Sequence, residues 1–364
     1  MIAVACLASF TFVPATTPSL DDQAYFAILA ETKVGRMAGM PKIDLGDLPP
    51  GIKLPPEAMM FAGVAARVLN IRLWSPTIAA ANAEATVAPP AGLRQGDKLN
   101  LEIYRPTAAD ATAKVRDFDP DSNPDGFTIK IYWGSSETVK EGQPKIIKWS
   151  GISKDQQAAM RQRAREAQAA NSYYYKDGWT TAYWPTKKQP GNIADDASLV
   201  GLFSLKTNYT GNVDIEAPSN VTFLGPYAIS KPDLEKKMDL KKAINLEWTQ
   251  IPNLLGQNAM AMGMEGKNTL ILWSSSEVYD EGLMGDMGFL QMADVRDFVA
   301  KTVFMKGDTS KVSIPIGIFK DVDFAMLTMT GYGPGAALEK AQPLPRIQTK
   351  TSMMLMLGGK KANF

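Results

Sequence analysis

The chain has 364 residues, with 39 Lys plus Arg against 38 Asp plus Glu, 45% hydrophobic and 21% charged. That length exceeds one ordinary core and suits a two-part architecture, while the near-zero net charge gives no long-range field for nucleic acid or an anionic membrane. There is no histidine and one cysteine, Cys6, which excludes Ser-His and Cys-His nucleophile pairs, an intramolecular disulfide, a CxxC redox pair and a thiolate zinc site.

In chain order, residues 1–20 come first. The apolar run Ile2 to Val13 reads as the core of an export signal, with small residues at Val13-Pro14-Ala15 as a cleavage site but no basic segment before it. Cys6 follows Ala3-Val4-Ala5, a lipobox-like context. The alternative is an apolar N-terminal strand of the mature fold. No run reaches the roughly 18 apolar residues of a transmembrane helix. DDQAYFAILAETKVGRMAG predicts a short helix behind an Asp cap, and DLPPGIKLPPEA, with four prolines, a loop. From Val64 the period becomes two: VLNIRLWSP, KLNLEIYRP, GFTIKIYWG and PKIIKWSG alternate apolar and polar residues between Gly, Pro and Asp clusters. SKDQQAAMRQRAREAQAAN then predicts a barely amphipathic, exposed helix from Ser153 to Asn171, with Ser153 and Gln156 placed as a capping box. An aromatic stretch follows. Strand patterns return in SLVGLFSLKTNYTG, NVTFLG, AINLEWTQIP, QNAMAMGMEG and NTLILWSSSE. A short helix in MADVRDFVAKTVF precedes closing strands in SKVSIPIGIF, DFAMLTMTGYG and QTKTSMMLMLGG.

One segment is written twice. IYWGSSETVKEG (131–142) returns as ILWSSSEVYDEG (271–282), identical at seven of twelve positions without a gap. In each half an Asn-Leu-Glu strand precedes the Trp-ending strand and its Ser-Ser-Glu turn. Self-similarity at a fixed offset marks repeated modules. The expected fold is therefore mainly β: two related antiparallel β-sandwich modules of Ig/FnIII-like kind, 21–152 and 198–364, with one intervening exposed helix and an aromatic linker in 153–197.

Four features could carry chemistry. The paired turns, Trp133 to Glu137 and Trp273 to Glu277, read either as ligand sites with Glu137 and Glu277 as acid and base, or as strand-ending turns with core tryptophans and hydroxyls bonded to local backbone. DFDPDSNPDG offers Asp119, Asp121, Asn123 and Asp125 as oxygen ligands for a structural calcium; the position that should supply a bidentate Glu is Tyr132, and the rival reading is an acidic hairpin turn. Met260, Met262 and Met264 make a stripe on one face of a strand, which could bind a soft metal or fill a core. Tyr173, Tyr174, Tyr175, Trp179, Tyr183 and Trp184 fall within twelve residues, and such rings either stack on sugars or pack a helix onto the sandwich.

The strand-turn YWGSSETVKEGQPKIIKW resembles a YWGCGE…GQP segment of an uncharacterised family of exported Gram-negative bacterial proteins. SLVGLFSLKTNYTG, FLGPYAI, INLEW, LILWSSSEV and KTSMMLMLGG match in the same order over roughly residues 60–357, with Ser135-Ser136 where that family has Cys-Gly. The resemblance implies export, to the periplasm, outer-membrane surface or extracellular space, and β architecture; it implies no activity and no site residues. The composite expectation is a non-enzymatic structural or interaction protein of the cell envelope or surface that binds itself or another envelope protein, its sharper form a filament-type subunit using its N-terminal apolar strand. The alternative is a carbohydrate- or cell-wall-binding protein using residues 173–184. A carboxylate enzyme comes last, because no convergent pair of acids is named.

Overall fold

The computed structural model describes residues 23–43, 61–105, 126–151, 153–155, 178–280, 290–338 and 343–360. In chain order the strands are β1 Tyr25–Met37, β2 Ala66–Ser75, β3 Ala85–Ala88, β4 Leu99–Asn100, β5 Glu102–Tyr104, β6 Thr128–Trp133, β7 Lys145–Lys148, β8 Thr180–Trp184, β9 Gly201–Thr207, β10 Val213–Ala217, β11 Ile229–Lys231, β12 Ile244–Trp248, β13 Gly256–Glu265 and β14 Thr269–Ser274. Helix α1, Met292–Ala300, comes next, then β15 Met305–Lys306, β16 Lys311–Ile314, β17 Phe324–Tyr332, β18 Ala336–Ala337 and β19 Leu344–Gly358. The mainly β expectation holds, and α1 falls where the sequence places a short helix, with the Asp294 carboxylate accepting from the Gln291 amide at its start. Among the described residues no helix is long and apolar enough to cross a membrane. Of the helix expected from Ser153 to Asn171, all but the first three residues lie outside the described residues, as do residues 1–22 with Cys6.

One long sheet organises everything. Its strand order is β5-β8-β2-β1-β19-β17-β13-β14-β6-β7, with β15 and β18 attached to β13 and β19. Two small sheets, β10-β9-β3-β4 and β11-β12-β16, cover one of its faces. Apolar side chains alternate inward from both layers. Phe26, Ile71 and Trp184 meet Val87, Leu99 and Phe203 in one core; Trp273, Leu327 and Leu355 meet Leu246, Val312 and Trp248 in the other. The result is a two-lobed sandwich whose lobes share a continuous sheet. The lobes do not follow the expected boundaries: the first core draws on residues 26–101 and 182–223 plus Ile347, the second on 224–357 plus Val34. Two neighbouring pairs in the sheet, β1 with β19 and β14 with β6, run parallel, which also sets it apart from the antiparallel Greek-key layout of immunoglobulin domains.

β1 corrects the helix expected at DDQAYFAILAETKVGRMAG. The strand is central, paired to β2 on one side and β19 on the other, and nine of its thirteen residues from Phe26 to Val34 include eight that are buried. A near-continuous apolar run suits a strand covered on both faces as well as it suits a helix, and pairing decides. NVTFLG, expected as a strand, is irregular chain.

Tyr209 packs against the first core with its hydroxyl buried and, among the described residues, without a hydrogen-bond partner. Burial pushes its phenol up to about 12, with Arg105 opposing. The folded chain therefore keeps a proton that the unfolded chain releases above pH ~10, so stability falls as pH rises from about 10 toward 12. Tyr209→Phe should flatten this alkaline slope and leave stability at pH 7 equal or slightly higher, since no hydrogen bond is lost; urea midpoints across pH 7–11 measure it.

Candidate functional site

The two copies of the duplicated segment are neighbours. β6 and β14 lie side by side in parallel. The sequence echo has an offset of 140, but the sheet pairs Trp273 with Tyr132 and Ser274 with Trp133, an offset of 141. A one-residue difference in register exchanges the faces. Trp273 therefore enters the second core, 1% exposed, with Tyr132 beside it. Trp133 lies on the opposite face against Tyr279, ring centroids 5.2 Å apart. Burial raises the Tyr132 phenol above its ordinary value, Lys130 working against this and Glu265 with it.

The turns that end these strands interlock. Gly134 N–H donates to the Ser274 carbonyl (3.0 Å), and the Trp273 indole N–H donates to the Gly134 carbonyl (3.1 Å). Gly134 sits at φ +98°, a conformation that favours glycine. The Glu277 carboxylate accepts from the Ser135 amide (3.1 Å) and pairs with Lys140. The Glu137 carboxylate accepts from Asn245 (2.7 Å), and its carbonyl accepts from the Ile316 amide (2.8 Å). Ser135 Oγ accepts from Ser313 N–H (3.0 Å). Ser136 Oγ donates to the Thr138 carbonyl (2.6 Å), and Ser276 Oγ makes the same bond to Val278 (2.7 Å). These serines and glutamates hold the two turns to each other and to β12 and β16; this is the turn reading of the motif. Lys140 and Glu277 are 39% and 46% exposed, so their ion pair contributes no more than about 1 kcal/mol.

The GQP part of the segment has its own role. The Gln143 side chain accepts from the Trp133 amide (3.0 Å) and donates to the Trp133 carbonyl (2.8 Å), in place of one rung of a β ladder. Replacing Gln143 with Ala leaves both backbone groups without this partner. The expected loss is about 1–2 kcal/mol, read as a lower denaturation midpoint, because each bond contributes roughly 0.5–1.5 kcal/mol.

β6, β7 and their turn form an arm on the rest of the protein. Trp149, Phe127 and Ile129 are buried and pack with Met264, Leu270 and Leu272 of β13 and β14. The arm covers β14, whose sequence Thr-Leu-Ile-Leu-Trp-Ser carries no charge. Left open, such a strand is a template for unwanted pairing. Among the described residues the new edge is β7, which reads Lys-Ile-Ile-Lys behind Pro144, and lysine and proline blunt an edge. The arm comes from far away in the sheet. β5 and β8 are neighbours at the opposite end, Tyr104 facing Thr181, so the chain leaves and re-enters there while β6 and β7 pair eight strand intervals away. This was the feature that sequence reading missed. Its one signal is the contrast between an uncharged β14 and a Lys-bounded β7.

Of the expected aromatic site, Tyr173, Tyr174 and Tyr175 lie outside the described residues. Trp184 is fully buried in the first core, so its ring offers no face to a sugar; this corrects its place in that site. Tyr183 is half-buried beneath the Arg72 guanidinium (5.9 Å), and Trp179 is half-buried. Asp119, Asp121, Asn123 and Asp125 lie outside the described residues; among the described residues no cluster of three or more His, Cys, Asp or Glu could hold a metal. Met260, Met262 and Met264 do share one half-buried strand face. Met262 continues a row across the sheet, paired through Met326 and Met356 to Met37 on one side and to Leu272 and Ile131 on the other, so the stripe belongs to a broad apolar sheet face.

No protein-family model matches the chain, and no characterised protein matches it significantly.

Proposed function

We propose that this is a non-enzymatic structural or interaction protein of the bacterial cell envelope or surface, and that it assembles with copies of itself by completing sheet edges. The observation that carries the reading is the arm: a β-hairpin delivered from the far end of the sheet to cover an uncharged strand. A fold built by β-augmentation within one chain has the parts needed for augmentation between chains. The polar groups of the duplicated turns support the non-enzymatic part, because the serines and glutamates named above are engaged within each turn, between the turns or with β12 and β16. The resemblance of the YWG…GQP segment to exported proteins supports the compartment.

The test is the N-terminus and the assembled mass of protein taken from its native source, determined together. An intact apolar N-terminus in a large assembly is the expected result. A chain beginning near Thr16 and running as a monomer would overturn the assembly reading and return attention to glycan binding through Trp179, Tyr183 and the tyrosines from 173 to 175.

A further inference from the structure

We propose that the arm, residues 126–151, also completes the β14 edge of a second copy of this chain, so that copies are joined by exchanging arms; this rests on the self-assembly reading above.

The argument is one of reach and of equivalence. From β5 to β6 the path across the sheet is eight strand intervals, roughly 38 Å at the usual spacing between strands. Arg105 to Gly126 is 21 residues along the chain and Gly151 to Gly178 is 27, with contour lengths of about 70 and 90 Å at full extension, the second about 55 Å with the helix expected over Ser153 to Asn171. Both connections are thus longer than the path they must cover, and the slack lets the arm reach the edge of a neighbour as well as its own. What it finds there is identical. The parallel ladder to β14, the Trp273 indole bond to Gly134, the Glu277 bonds to Ser135 and Lys140, and the seat of Trp149 against Leu270 and Leu272 are all reproduced when donor and acceptor belong to different copies. Exchange therefore keeps every one of these contacts. It is opposed only by the entropy advantage of the tethered arm, which long connections weaken and which corresponds to an effective concentration of about millimolar or below. A crowded surface or a concentrated refolding mixture offsets that. Exchange also leaves no bare β14, whereas an arm that simply detached would expose it.

Thr128 and Thr269 are register partners at the start of β6 and β14, both half-buried, and neighbouring Cα atoms at that spacing suit a disulfide. In a Cys6→Ser background, two full-length chains are made, one carrying Thr128→Cys and the other Thr269→Cys. They are unfolded together, refolded together over a range of concentrations and mildly oxidised, and unsubstituted chain is sized in parallel. The expected result is a covalent heterodimer whose yield rises with protein concentration. A third chain carrying both substitutions shows that the bond can form: it should give a locked monomer at low concentration and a covalent dimer or ladder at high concentration. If the double variant locks only within single chains while unsubstituted protein assembles, arm exchange is overturned and the broader assembly reading survives. If nothing assembles and nothing cross-links between chains, both are overturned. A covalent closed dimer without larger species upholds arm exchange and removes the filament form of the reading.

Discussion

Trp273→Ala is expected to lower stability by about 3–5 kcal/mol, the usual cost of truncating a fully buried tryptophan. The residue is 1% exposed at the centre of the second core. It also joins that core to the arm, because its indole N–H is the donor to the Gly134 carbonyl. Two losses therefore coincide: an apolar void beside Leu246 and Leu327, and a carbonyl without its donor. The second loss can be isolated. Trp273→Phe keeps most of the apolar volume and removes only the N–H and part of the ring. Chemical denaturation gives the total cost. Limited proteolysis gives its location, with cleavage on either side of the arm accelerating before the rest of the fold is attacked. Uniform cleavage throughout the chain would show that Trp273 supports the core alone and has no part in holding the arm.

Trp184→Ala should cost a similar ~3–5 kcal/mol, and for a simpler reason. Its side chain is fully buried between β8 and the first covering sheet, and the ring lies so close to Gly191, at φ +69°, that a Cβ there would come within 2.7 Å of it. Its indole N–H finds no acceptor among the described residues. Trp184→Phe should therefore be milder than Trp273→Phe, by about the 1–3 kcal/mol attached to a buried carbonyl losing its donor. The pair of Phe variants, compared by thermal or urea unfolding, separates packing from hydrogen bonding at two tryptophans of the same kind. If Trp184→Phe kept full stability and lost binding to a glycan, the ring would be a ligand platform after all, against its burial.

These two tryptophans also show what the sequence makes legible. Period-two alternation located most of the strands, because side-chain direction along a strand is a local property. It failed at Tyr25–Met37, where burial on both faces removes the alternation that separates strand from helix. Composition could not divide the aromatic cluster: its rings suited either sugar stacking or packing, and only the tertiary arrangement leaves Tyr183 half-buried and puts Trp184 in the core. The duplication was visible as identity between 131–142 and 271–282, but not its meaning. Residues that match in an alignment are displaced by one position in the sheet, so equal sequence serves opposite faces. The arm was out of reach for a different reason. Pairing between β6 and β14 joins residues about 140 apart in the chain, and nothing local in either strand states its partner. The serines and glutamates of the turns were legible as turn formers from hydroxyl and carboxylate chemistry alone, and their cross-links to Asn245, Ser313 and Ile316 were not.

The parallel pairing of β1 with β19 has a mechanical consequence. Tyr25 to Met37 is matched in register with Leu344 to Met356, so chain preceding β1 departs from one end of the ladder and chain following β19 departs from the other. Tension applied between those two ends pulls the strands along each other, and the whole row of hydrogen bonds bears the load together instead of opening one at a time. The pair is flanked by β2 and β17 and buried at the middle of the sheet, so water reaches it late. A subunit tethered through its two ends would resist extension at its centre, while the arm at the rim, loaded through neither end, would be free to exchange.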